Sequence, residues 1–384
     1  MATDVSSSAP LAFVDLQAQY ASYKPEIDAA IHRVLDHGKF IMGPEVGELE
    51  SALSAFSGAK HVIGCSSGTD ALLMILMAEG IGAGDAVFVP SFTFTATAEV
   101  LLLLGAQPVF VDVDPDDFNL CLDDLERRIA SVKATGIFTP RGILAVDLFG
   151  LPVDYDALQT VADKHGLHVW GDAAQSFGGS IGGKKVGALA RATATSFFPA
   201  KPFGCYGDGG AVFTDDDAMA EIMRSIRAHG KGGDKYDIIR VGLNARLDTI
   251  QAAILLAKLP HFAGEVDRRE AVAQKYDTLL SDYVQTPVRR QGRASAWAQY
   301  TIKVRADRRD GISATLKQSG VPSAVYYPLP MHLQTAYRAM GEGDGSLPVS
   351  EALSREVLSL PMHPFLTDEQ VERVAANVVA AVSA

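Results

Sequence analysis

Lys201 stands in the segment SFFPAKPFGCYGDGGAVF (196–213), held between Pro199 and Pro202 and followed by four glycines before the next apolar run. A lysine in such company is either a solvated loop tip or an amine whose charge the protein controls. Desolvation and cationic neighbours lower a lysine pKa, and the neutral amine is the nucleophile that condenses with an aldehyde to give a Schiff base. Lys184 and Lys185, in GGKK, read instead as an exposed hairpin tip. Asp172 closes the apolar run LHVWG. At that place its carboxylate is partly buried and needs a partner, for which a protonated ring nitrogen would serve; a helix-capping aspartate is the alternative. In CSSGTDALLMIL, Ser66, Ser67, Gly68 and Thr69 fall between a strand-like run and a helix-like one. The free N–H groups of such a helix start suit a phosphate, or the stretch is an ordinary N-cap with Asp70 in the first turn.

A scaffold must bring these three segments to one place. Seven apolar runs (HVIGC, AVFVP, QPVFVDV, GILAVDLF, HVWGDA, ATATSFF, GAVFT) alternate with helix-length stretches such as TDALLMILMAEG and DYDALQTVADKHG. That alternation predicts an α/β fold, a mostly parallel sheet covered by helices on both faces, with ligands at the carboxyl ends of the strands. From Leu247 a stretch of about thirty residues carries apolar residues at helical spacing, and Pro260 divides it into two expected helices. AQYTIKV, SAVYY and a last helix, TDEQVERVAANVVAAVSA, then suggest a smaller α+β domain. The expected organisation is a loose tail over residues 1–12, a large domain over 13–255 and a small C-terminal domain over 256–384.

Composition narrows the function classes. A formal net charge of −12 leaves no basic excess for a nucleic-acid backbone. Three cysteines far apart in sequence argue against a disulfide framework or a zinc site, and fit a reducing cytoplasm. No apolar run approaches the roughly 20 residues of a membrane span, and the Ser-rich start lacks the features of a secretory signal.

A phosphate-seeking helix start, a buried aspartate and a candidate Schiff-base lysine, in that order on a parallel sheet, describe a site for pyridoxal 5'-phosphate (PLP). From Phe13 to its end the chain resembles the fold-type I, PLP-dependent sugar-nucleotide aminotransferases. The resemblance is carried by VDLQAQY, GPEVGELE, SSGTDAL, PSFTFTATA, GDAAQSFGG, SFFPAKPFGCYGDGGA and GLNARLDTIQAAIL. It implies a three-layer αβα architecture in which Lys201 holds PLP and shuttles a proton while Asp172 pairs with the ring N–H. Gln175 would approach the ring hydroxyl and Phe94 would cover the ring face. Gly68, Thr69 and Ser196 of one subunit would hold the phosphate together with Asn244 of another, so a homodimer with shared sites is implied. Arg246 would meet an anionic group of the substrate.

The same resemblance implies two-stage transfer of nitrogen from L-glutamate to a nucleotide-linked keto-sugar. RAHGKGGDKYDIIRVGLNARLD, WAQYTI, SAVYYPLPMHLQ and LPMHPFL look most like the subgroup that aminates UDP-2-acetamido-2-deoxy-3-oxo-glucuronate for bacterial surface polysaccharide such as O-antigen. Relatives often carry His-Tyr where this chain has Tyr326-Tyr327, which keeps a 4-keto-6-deoxy nucleotide sugar as the alternative. His229, Tyr326, Tyr327 and His332 are expected against the substrate. The histidines lack a ligand-spaced partner, so no metal is expected. A regulator that keeps the pocket without turnover is a further reading, disfavoured by Lys201 occurring together with Asp172 and Gln175.

Overall fold

The structure is a computed structural model that describes residues 11–234 and 236–384. Nearly all of the tail expected over 1–12 lies outside them, but Leu11 is buried against the C-terminal core. Helices α1 (Leu16–His37) and α2 (Pro44–Ser57) lead into β1 (His61–Cys65). Helix and strand then alternate through α3 (Gly68–Ala78), β2 (Asp85–Pro90), α4 (Ala96–Leu103), β3 (Gln107–Val111), α5 (Leu122–Thr135), β4 (Thr139–Val146), α6 (Tyr155–His165) and β5 (His168–Asp172). A hairpin of β6 (Ser180–Ile181) and β7 (Lys184–Lys185) precedes β8 (Ala192–Ser196), β9 (Gly210–Thr214) and α7 (Asp217–Ile226). The long helix α8 (Thr249–Leu280) follows. Beyond it come β10 (Arg293–Ala294), β11 (Tyr300–Lys303), α9 (Arg309–Gln318), α10 (Pro348–Glu356), β12 (Val357–Leu360) and α11 (Asp368–Ser383).

All seven apolar runs become strands of one sheet, ordered β1-β9-β8-β5-β4-β2-β3. Strands β8, β5, β4, β2 and β3 pair in parallel, and β9 runs against both of its neighbours. Side chains alternate between the faces of a strand, so neighbouring residues enter different cores. Val87, Val89, Leu144 and Trp170 pack under α3, α4 and α7. Phe88, Ile143, Ala145 and Val169 pack under α5 and α6. The result is the three-layer αβα arrangement, and each fully buried large side chain contributes about 1.5–3 kcal/mol. No helix among the described residues is long and apolar enough to cross a membrane.

Two expectations need correction. Pro260 does not split the stretch after Leu247; α8 is one helix with Pro260 inside it. Proline removes one N–H donor, but tertiary packing holds the helix on both sides of that gap. Ala253 and Ile254 meet Ala30, Val34 and Ile27 of α1, Phe262 enters an aromatic cluster with Phe177 and Phe203, and Val272 and Tyr276 enter the C-terminal core. The boundary expected at residues 255/256 therefore falls inside a continuous helix. SAVYY supplies only a single bridge, Ala324 to Ser359 of β12, rather than a strand.

Candidate active site

The carboxyl ends of β1, β2, β4, β5 and β8 lie along one edge of the sheet, and register decides which loops meet there. Gly210 stands opposite Cys65 on one side and Ser196 on the other, which sets the start of α3 against the end of β8. Contact is tight. A methyl group on Gly68 would lie 2.7 Å from Ser196 Cβ, and one on Gly210 would lie 2.4 Å from the Ser67 carbonyl oxygen. Ser67 caps α3 by accepting from the Asp70 N–H at 3.0 Å. The first N–H groups of a helix have no partner within it, which leaves those of Gly68 and Thr69 available at the helix end. The capping and phosphate readings of this stretch are thus compatible.

Asp172 ends β5 and is 7% exposed. Its Oδ2 accepts from Thr97 Oγ1 at 3.2 Å and its Oδ1 from the Ala174 N–H at 3.1 Å. Burial pushes this carboxyl up, and the Lys201 amine is the charge that opposes the rise. Reciprocally, burial pulls the Lys201 amine down while Asp172 holds it up. The two groups share one desolvated field, which favours a neutral amine whenever another cation satisfies the acid. Gln175 accepts from the Phe149 N–H at 2.8 Å and donates through Nε2 to Tyr327 Oη at 3.2 Å. The Tyr327 ring lies 6.2 Å from Phe92, 6.4 Å from Phe94 and 5.8 Å from Tyr326, centroid to centroid. Phe94 itself is 53% exposed, an aromatic face left open beside the cluster.

Asn244 and Arg246 lie beside the start of α3, lining a groove of about 380 Å³ with Ser66, Gly207, Asp208 and Gln251. Arg246 Nη2 donates to Asn244 Oδ1 at 2.6 Å, while its buried Nε has no hydrogen-bond partner. His229 is exposed on the loop between α7 and α8, and its backbone N–H donates to the Leu243 carbonyl. Among the described residues no hydrogen bond or ion pair ties its ring to the Lys201 group. His332, expected against the substrate, is fully buried, with Nδ1 2.7 Å from Ser91 Oγ and Nε2 3.1 Å from Glu351. Both ring nitrogens are already engaged. A cavity of about 210 Å³ bounded by Phe118, Phe149, Arg293, Trp297 and Gln299 is a separate feature that includes none of the expected site residues.

Two contributors escaped the sequence reading. Thr97, in the first turn of α4, carries no local signal for its bond to an acid 75 residues away. Asp147 did offer one, since it follows the GILAV run as Asp172 follows LHVWG. It is fully buried, accepts from Ser176 Oγ at 2.6 Å and from the Val153 N–H at 2.9 Å, and donates its own N–H to the Asp172 carbonyl at 3.1 Å. Burial pushes its carboxyl up to about 7.

These residues fit PLP. Gly68 lets the start of α3 close onto Ser196, the α3 start supplies N–H donors, and a buried acid faces an amine of lowered basicity. Replacing Gly68 with alanine forces Ser196 aside, and spectroscopic titration of the cofactor-free protein with PLP is expected to show affinity weakened by about tenfold or more, a loss of roughly 1.4 kcal/mol.

Comparison with known proteins agrees. Residues 21–379 match the DegT/DnrJ/EryC1/StrS aminotransferase family. The chain is 47% identical to the UDP-2-acetamido-2-deoxy-3-oxo-D-glucuronate aminotransferase of Pseudomonas aeruginosa, over 95% of this chain and 98% of that one. It superposes with a TM-score of 0.95 on the crystal structure of a DegT/DnrJ/EryC1/StrS aminotransferase from Brucella abortus, 48% identical and covering 97% of this chain and 100% of that one. NtdA from Bacillus subtilis, solved with its cofactor PMP, gives a TM-score of 0.89 at 29% identity, covering 100% of this chain and 87% of that one. The fold, the site and these matches converge: this chain belongs to the DegT/DnrJ/EryC1/StrS family of PLP-dependent sugar aminotransferases.

Proposed function

We propose that the protein transfers the amino group of L-glutamate to the 3-keto position of UDP-2-acetamido-2-deoxy-3-oxo-glucuronate, and that it works as a homodimer. The observation that carries the reaction is the Lys201 amine set in the electrostatic field of the buried Asp172, its basicity lowered by burial. PLP, when bound, supplies an electron sink that stabilises negative charge at the substrate carbon. In this reading the residues do the rest. The Asp172 carboxylate holds the ring nitrogen protonated, Thr97 and the Ala174 N–H keep that carboxylate aimed, and the Lys201 amine takes and returns a proton at the reacting carbon. Gln175 and Tyr327 orient the ring hydroxyl, Phe94 covers the ring, and Gly68, Thr69 and Ser196 bind the phosphate.

The 47% identity to the Pseudomonas aeruginosa enzyme over nearly the whole chain supports the substrate choice. Arg246 adds to it, because its guanidinium lines the groove beside Asn244 and can meet a uronate carboxylate. Support for the dimer comes from Phe40, Ile41, Met42, Ile238 and Val241, large apolar side chains 43–83% exposed in the single chain. Asn244 of one subunit would then reach the phosphate of the other. The three cysteines are unpaired, as in a reducing cytoplasm.

The test offers purified holoprotein glutamate with the UDP-linked 3-keto uronate or a 4-keto-6-deoxy nucleotide sugar, following 2-oxoglutarate and the amino sugar by mass spectrometry. Turnover of the uronate at least about tenfold faster, a transition-state difference of roughly 1.4 kcal/mol, is expected. Conversion of the deoxy sugar alone overturns the substrate, and no 2-oxoglutarate with either overturns the donor.

A further inference from the structure

The turn that presents Lys201 is folded on itself. The Lys201 N–H donates to the Phe198 carbonyl at 2.9 Å, and the Cys205 N–H to that of Phe197 at 2.8 Å. Gly204 closes the turn so tightly that a methyl group there would lie 2.5 Å from the Pro199 carbonyl oxygen and 2.6 Å from that of Phe198. Apart from its bonds to Phe197 and Phe198, two hydrogen bonds among the described residues tie residues 199–207 to the rest of the protein, and both partners lie on α8. Gln251 Oε1 accepts from the Tyr206 N–H at 2.9 Å, and Lys258 Nζ donates to the Gly204 carbonyl.

Lys258 is 3% exposed. An ammonium group in such a place costs several kcal/mol unless it is paired, and an apolar side chain would fill the volume without that cost. What the charge adds is a strong bond to a carbonyl. The surroundings are arranged to keep it. Its Nζ lies 5.2 Å from the centre of the Tyr206 ring, and Glu265, two turns along α8, supplies the balancing charge. Gln19 of α1 donates to both oxygens of Glu265 at 3.1 and 3.0 Å, and Tyr23 of α1 faces it as well. Arg269 of α8 and Cys205 of the turn complete the charged and titratable groups that face Lys258. Burial pulls its amine down to about 8.

We propose that Lys258 is a positioning residue: by holding the Gly204 carbonyl against α8 it sets the height of the turn, and so keeps the Lys201 amine in register with Asp172. This rests on Lys201 being the reactive amine. The test uses holoenzyme of wild type, Lys258→Met and Lys258→Arg, with circular dichroism to confirm folding. A loosened turn misplaces the amine, so Lys258→Met is expected to lower kcat by about 10- to 100-fold, to leave KM for glutamate within about twofold, a binding difference near 0.4 kcal/mol, and to shift the pH midpoint of the bound cofactor's visible absorbance. Lys258→Arg, which keeps the charge, is expected to recover most of kcat and of the midpoint. A merely structural role would lower thermal stability and leave the midpoint of the folded fraction unchanged; that result, or a wild-type kcat in Lys258→Met, overturns the proposal. Should Lys258→Met not fold, Lys258→Gln replaces it under the same two criteria. Borohydride reduction of the wild type separates the premises. Pyridoxyl label on Lys201 with a normal Lys258→Met midpoint sinks this inference alone, whereas label on any other residue sinks the assignment of Lys201 as well.

Discussion

Lys201→Ala is expected to abolish amino transfer, with kcat down by at least about 10³-fold, within the range a positioned acid–base group supplies. Lys201 is the amine set in the field of the buried Asp172, at the apex of a turn whose backbone is pinned by the Phe198 and Phe197 carbonyls. Its neighbours on the turn, Pro199, Ala200, Pro202 and Phe203, bear no proton-transfer group. Arginine should not rescue the loss, because a guanidinium stays protonated at any pH the protein survives. Single-turnover kinetics with glutamate measure the effect, and borohydride treatment should leave pyridoxyl label in wild type and none in the variant. A variant that keeps more than about a tenth of wild-type kcat, a deficit under 1.4 kcal/mol, would remove Lys201 from the chemistry.

The second large effect is expected at Asp172. Asp172→Asn preserves shape and, with its oxygen toward the Ala174 N–H, one of the two accepting contacts, but it removes the charge and reverses the Thr97 bond, because an amide nitrogen only donates. Without a carboxylate opposite it, the ring nitrogen loses its reason to stay protonated in a desolvated site, and stabilisation of carbanionic charge falls with it. Losing a preorganised electrostatic contact of this kind lowers kcat by about 10²–10³-fold, or roughly 3–4 kcal/mol. Because Asp172 is also the partner that holds the Lys201 amine up, the variant's Lys201 should titrate lower, readable as a downward move in the pH midpoint of cofactor absorbance. An unchanged midpoint together with full activity would separate the two residues.

Much of this site could be read from local sequence, and for one reason. Strands buried on both faces are continuous apolar runs, so the residue that ends each run is marked, and Asp172, Ser196 and the start of α3 all stand at such ends. Lys201 is marked by its prolines and glycines. What stayed hidden depends on partners distant in the chain. Thr97 looks like any helix threonine until the sheet order brings the start of α4 beside the end of β5. His332 sits in a proline-rich segment that reads as a surface loop, and nothing near it reveals that Ser91 and Glu351 enclose its ring. Pro260 carries a strong local signal for a helix break, and packing on both sides outweighed it. Asp147 was marked and went unread, since its signature matches that of Asp172.

The unbroken course of α8 has a mechanical corollary. Its far end, where Tyr276 bonds to the Pro361 carbonyl and stacks near Tyr300, stands about 27 Å along the axis from Lys258 at 1.5 Å per residue. A rod without a joint does not absorb a tilt; it passes it on. A tilt of that far end would therefore reach Lys258 and, with the positioning role proposed for it, would change the aim of the Lys201 amine.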